Sequence, residues 1–397
     1  MLERLLIHKS VHGMRKWLLV ATLLLAVICV SGCHTLGFYG QALKGQYQIF
    51  SHQEPIDRLA AEPSTPALLK QRFALLGDLR GFAHDELKLP TDSHYRKYVD
   101  VHRPFVVWNV EAASEFSMEP KTWWYPFLGS LEYRGYFSKG EATTYGDYLR
   151  TKGYDVSVAG VGAYSTLGWF KDPVLNTFIF ENDADLAEII FHELAHQRLF
   201  ARGDTDFNEA FATTVGQEGS RRWLRARNND PGLTEYLAHL HHSDEFVHLV
   251  MATRTRLQAL YQDRVMPDGK IKAATAKPAT GAEELRRQKQ AIIDGMVAEL
   301  RGLKTQWNNC SDYDGWLKHP INNAHLNSVA AYYDLVPAFE QLLALNGGNM
   351  EQFYRAAEQL AHKPKTERQE QLRALAKTRI DRLRAESPPS TASKSRS

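Results

Sequence analysis

Two histidines and a glutamate sit in a stretch so apolar that it has to be buried. The run His192-Glu193-Leu194-Ala195-His196 lies within residues 182–203, where Leu186, Ile189, Ile190, Phe191, Leu194, Leu199 and Phe200 recur. As a helix this stretch is apolar nearly all round, the pattern of a buried helix. Asn182 is placed to cap it, and Asp183 and Asp185 put negative charge in its first turn. Arg198 and Arg202 lie in or near the last turn, with Gly203 as a left-handed stop. Residues four apart share one face, so His192 and His196 can point two imidazoles at one ion. Zinc suits imidazole nitrogen and keeps an open position when it is catalytic. Glu193 lies about 100° round the helix, away from the ligand position but within reach of a water there as general base.

A third ligand is expected at Glu209, thirteen residues after His196. A second helix is expected to start near Phe207 with Asp206 as its cap, and so short a connection makes the two helices antiparallel. Packed helices lie about 8–10 Å apart, which brings Glu209 within reach of the ion. Ala212, Thr213 and Gly216 are small enough near its face to allow close approach. An alternative role for Glu209 is the reaching-back residue of a capping box with Asp206.

Those residues also carry a resemblance. His192-Glu193-x-x-His196 followed by Asn208-Glu209-Ala210-Phe211-Ala212 is similar to the gluzincin metallopeptidases, whose third zinc ligand is the glutamate of an N-E-x-x-A motif. More closely, the chain resembles a family of bacterial lipoproteins described as candidate zinc aminopeptidases. That resemblance also runs through residues 163–170, 191–197 and 334–339. It implies a zincin-like core, one Zn²⁺ held by His192, His196 and Glu209, and a peptide substrate. It further implies an edge strand that pairs with the substrate backbone, assigned to Tyr164, Ser165, Thr166, Leu167 and Gly168; the alternative there is an ordinary loop. A tyrosine from a later helix commonly donates to the oxyanion in these enzymes. Tyr332 is the first choice and Tyr333 the second, although Tyr332 shares a helical stripe with Leu335 and Phe339 and could be a core residue. The glutamate that grips the substrate amine in the best-known aminopeptidases has no counterpart in the equivalent region; Glu111 or Glu141 would have to serve from elsewhere.

Residues 1–32 read as a lipoprotein signal peptide. Arg4, Lys9, Arg15 and Lys16 precede residues 17–30, apolar but for Thr22. That run is short for a membrane span and suits a signal core; an uncleaved anchor is the alternative. Val30-Ser31-Gly32-Cys33 resembles a lipobox, which implies lipid on Cys33 and a chain held in the bacterial cell envelope, facing the periplasm. His34 is not the aspartate that favours inner-membrane retention, so the outer membrane is expected. Cys310 would then be the one cysteine free of these roles, excluding a disulfide within the mature chain.

The remainder reads as a single metallopeptidase domain over 33–385 and a tail over 386–397 whose Pro, Ser and Lys content suits disorder. The expected fold is α+β and helix-rich, with a small, mostly antiparallel sheet beside the metal helix. Strands are expected at 105–110, 131–137 and 154–158, and helices over 37–87, 141–152, 209–227, 233–263, 283–307, 326–345 and 350–384. The aromatic run 123–127 packs the fold or walls a substrate pocket. His239, His241, His242 and His248 invite a second metal site, although exposed histidines on a polar helix are ordinary. A net charge of +2, without basic runs interleaved with aromatics, gives no case for nucleic acid. Three functions remain in view: a zinc peptidase, a metal-bound scaffold without activity, and a hydrolase of cell-wall peptides. The intact Glu193 favours the enzymes, because a structural site has no use for a base beside its ligands.

Overall fold

The computed structural model describes residues 37–92, 94–126, 129–163, 171–262 and 278–386. Helix α1 (37–51) leads into β1 (Glu54–Pro55), α2 (Ile56–Ala61) and α3 (Ala67–Asp85). Then come β2 (Lys97–Val99), β3 (Val107–Ser114), β4 (Trp123–Tyr125), β5 (Gly129–Leu131), β6 (Tyr133–Tyr136), α4 (Lys139–Thr151), β7 (Tyr154–Val161) and β8 (Val174–Leu175). Helices fill the rest: α5 (Asp183–Arg198), α6 (Thr205–Ala226), α7 (Asp230–Gln262), α8 (Pro278–Gln306), α9 (Asp314–Leu317), α10 (Asn323–Tyr333), α11 (Val336–Leu345), α12 (Met350–Ala361) and α13 (Lys365–Glu386). The fold is helix-rich α+β, as expected.

Strand β3 is the centre of an antiparallel sheet ordered β6-β3-β7. Its Val107, Asn109 and Glu111 share one face, because strand side chains alternate. Trp108, Val110 and Ala112 face the other way, into a cluster with Phe38, Tyr136, Tyr145 and Leu149 from α1, β6 and α4. The antiparallel arrangement is broken in a second sheet, where β2 pairs parallel with β8.

The largest core cluster wraps α5 and α6. Leu186, Ile190, Phe191 and Leu194 of α5 and Phe207 and Phe211 of α6 are fully buried. Phe207 and Phe211 meet Phe339 of α11 edge-on at 5.1 and 5.7 Å, and Phe211 stacks on Phe353 of α12 at 5.6 Å. Edge-to-face and offset pairs of this kind add about 0.5–1.5 kcal/mol beyond the area they bury. Helices α7, α8 and α10 close a separate cluster around Leu257, Met296 and Leu326.

Several expected boundaries move. Helix α5 ends at Arg198 with Leu199 extended, and Gly203 (φ +71°) turns the loop beyond it instead of capping the helix. Helix α6 starts at Thr205 and is capped by Asp204, not Asp206. The expected helix over 326–345 is two, α10 and α11, with Pro337 in the first turn of the second. Proline disfavours a helical residue before it and lacks an N–H to continue the ladder. The charged helix over 350–384 likewise divides around Pro364 into α12 and α13. The strand expected over 131–137 splits between β5 and β6.

Candidate metal centre

The cap of α5 forms as expected: the Asn182 side chain accepts from the Asp185 amide at 2.9 Å. That sets the phase of a helix whose buried face carries Glu193 and His196. The return to α6 is fixed by Asn208, whose side-chain amide accepts from Ala201 N–H at 2.7 Å and donates to Ala201 C=O at 2.8 Å. Asp204 caps α6 through the Phe207 amide and, with no exposed surface, takes the Arg368 guanidinium of α13 at 2.8 Å. Glu209 therefore enters the site from a helix start held by both neighbours in sequence and a distant helix. With Asp204 as cap, the capping-box reading of Glu209 falls away.

Three donor atoms meet. His192 Nε2 and His196 Nε2 are 3.2 Å apart, and Glu209 Oε2 lies 3.3 Å from the first and 3.5 Å from the second. A tetrahedral ion with donors at about 2.0–2.1 Å separates them by roughly 3.3–3.4 Å. The triangle thus fits a zinc-sized ion, and two imidazoles with one carboxylate suit its chemistry.

Electrostatics support one anionic pole serving two rings. Burial pushes the Glu209 carboxyl up, but His196 and His192 outweigh it and hold it down at about 2. Burial holds His192 below its ordinary value; at His196 the Glu209 carboxylate outweighs burial and raises it. Glu193 has a different environment. It is 8% exposed, its Oε2 has no hydrogen-bond partner among the described residues, and burial, partly offset by His196, pushes its pKa to about 8.

These residues form the floor of a cavity of about 820 Å³, within the roughly 300–1,000 Å³ of small-ligand clefts. Tyr332 reaches it from α10, its ring 6.4 Å from that of His192 and nearly parallel. The Glu209 charge, then burial, raises its phenol well above the ordinary value, so it keeps its proton. Tyr333 lies away from the cavity, beside Ser243 and Glu188. Tyr133 of β6 also lines the cavity, and burial with Glu209 and Glu193 nearby likewise keeps it protonated. Sequence reasoning missed Tyr133, because its position depends on pairing opposite Glu111 across β3 and β6.

Asp172 was also missed. It is 3% exposed and accepts from Gln197, the neighbour of His196, at 3.1 Å. Glu141 is exposed on α4 and lines no part of the cavity, whereas Glu111 is half-buried opposite Tyr133, its pKa pushed to about 8 by desolvation and then Glu132. The cavity wall carries other carboxylates: Glu181, Asp185 and Glu188, the last one turn before His192. Of the aromatic run, Trp124 is 69% exposed and Tyr125 lines the cavity. Tyr164 to Gly168 and Cys33 lie outside the described residues. Val161, Gly162 and Ala163, which immediately precede that segment at the end of β7, line the cavity, and among the described residues β7 pairs only with β3.

A family model described as "Putative aminopeptidase" matches residues 37–372. That span holds every cavity residue named above. No curated protein and no solved structure matches the chain.

Proposed function

Because the chain belongs to the putative aminopeptidase family, we propose that it is a zinc-dependent peptide hydrolase with a zincin-like core. The observation that carries this reading is the donor triangle of His192, His196 and Glu209 beneath a cavity that also holds a buried carboxylate oxygen of Glu193 without a partner among the described residues. A structural site would need neither the open cavity nor the idle base.

His192, His196 and Glu209 would hold the zinc ion, which would supply Lewis-acid polarisation of the scissile carbonyl and a more acidic water. Glu193 accepts the proton of the attacking water and returns it to the leaving amine. The Tyr332 hydroxyl donates to the oxygen on which negative charge develops. The edge of β7, with Tyr164 to Gly168 that follow it in the sequence, pairs with the extended peptide backbone. Glu188 and Asp185 line the route to His192 and suit a protonated amine, which agrees with an aminopeptidase.

The mature chain is held in the bacterial cell envelope by lipid on Cys33, at the periplasmic face of the outer membrane, a reading that rests on Val30-Ser31-Gly32-Cys33. Among the described residues no helix is long and apolar enough to cross a membrane.

Digestion of a peptide library by the fragment starting after Cys33, with and without chelator, tests the proposal. Cleavage that stops with chelator and returns with Zn²⁺ is expected. Intact peptides throughout, from a folded and metal-loaded protein, would leave the scaffold role instead.

A further inference from the structure

A second group of metal-binding donors gathers between α7 and the segment after α8, and one of them, His239, lines the cavity. His239 and His242 stand three residues apart on α7, on one helix face. Facing them, the segment between α8 and α9 presents Cys310 and Asp312. Asp312 Oδ2 lies 3.3 Å from His239 Nδ1 and 3.7 Å from His242 Nδ1. The donor atoms of His242, Cys310 and Asp312 all lie within 4.8 Å of one another.

The surroundings hold these groups in place. Lys304 donates to the backbone carbonyls of both Cys310 and Asp312, at 2.5 and 2.6 Å. The His242 ring stacks on Trp307 at 4.6 Å, and Trp307 is tied by its indole N–H to Glu245 at 2.7 Å. Of the other histidines on α7, His241 lies 3.5 Å from Glu245 instead. The site is open to solution, with the His239 side chain 47% exposed.

We propose that His239, His242, Cys310 and Asp312 form a second, structural site for a zinc-type cation, separate from the His192, His196 and Glu209 centre. Two imidazole nitrogens, a thiolate and a carboxylate oxygen make a closed four-ligand set of the kind that zinc takes. The thiolate favours a borderline-soft ion over magnesium or calcium, which take oxygen ligands. The Asp312 to His239 separation of 3.3 Å already matches tetrahedral spacing, and His242, Cys310 and Asp312 would close in from separations within 4.8 Å. His239 also lines the cavity, as does Asp185 of α5. Occupation would therefore tie α7 to the segment after α8 at the cavity's rim.

The two sites differ in one donor, and cobalt reports it. The full chain is titrated with Co²⁺ and its near-ultraviolet absorption followed, together with the alkylation rate of Cys310 read by peptide mass spectrometry. A thiolate-to-cobalt charge-transfer band is expected in the native chain. The band should persist when His192 and His196 are both changed to alanine, and vanish in Cys310→Ser. Alkylation of Cys310 in the native chain should slow roughly ten-fold or more with Co²⁺, because the bound thiolate is no longer a free nucleophile. No band, a band that survives Cys310→Ser, or an unchanged alkylation rate would each overturn the proposal; the last needs no variant and so does not depend on how Cys310→Ser folds.

Discussion

Gly216 of α6 lies so close to Glu188 of α5 that a Cβ added to it would stand 2.9 Å from the Glu188 carbonyl oxygen and 3.3 Å from His192 Cβ. The backbone of one helix thus rests against the turn that carries the first histidine. Gly216→Val should push the helices apart, at a cost of about 1–3 kcal/mol for overpacking. It should also draw Glu209 away from the histidines. Urea unfolding and metal content check it: a variant with native stability and full metal would show that the contact is slack.

Glu193→Gln keeps the shape of the side chain and removes the base. Peptide turnover should fall on the order of 10²–10⁴-fold while metal content and melting temperature hardly change. Glu209→Gln should instead lower metal affinity and activity together. Parallel measurement on the two variants decides the roles, and native turnover by Glu193→Gln would remove Glu193 from the mechanism.

Tyr332→Phe leaves the ring against His192 and removes only the hydroxyl. If that hydroxyl donates to the developing oxyanion, kcat should drop roughly 10²–10³-fold with KM little altered. Tyr333→Phe, away from the cavity, serves as the control. An equal loss in both variants would point to packing.

His325 on α10 reports on acid stability. Burial, with His319 and Arg150 nearby, holds its imidazole down at about 4, against an ordinary 6.5. As pH falls, the unfolded chain takes up this proton first. The stability contributed by neutral His325 is therefore present in full above about 6.5 and lost between about 6.5 and 4. A shift of this size is worth at most about 3 kcal/mol. His325→Gln should flatten the fall of unfolding free energy over that window, and parallel slopes for the two proteins would count against the assignment.

The metal helix was legible because everything that defines it is local. Its cap stands next to its first turn, its ligands are four residues apart, and its apolar residues repeat around it. The start of α6 was less so. Asp204 and Asp206 are equally good caps by type, and the choice is made by Arg368 and Asn208, through contacts no local pattern contains. Tyr133 escaped for the same reason, since a strand's facing partner is set by register. The break between α10 and α11 was different: Pro337 carried the signal, and the apolar continuity of the run masked it.

The Asp204–Arg368 pair sets an order on how the site comes into being. The partners are 164 residues apart. A growing chain therefore presents both histidines and Glu209 long before the residue that neutralises the buried start of α6 exists. Until α13 docks, Asp204 has no counter-charge, and removing one partner of a buried pair costs about 3–5 kcal/mol. A chain stopped short of Arg368 carries all three metal ligands and lacks the contact that holds their helices in place.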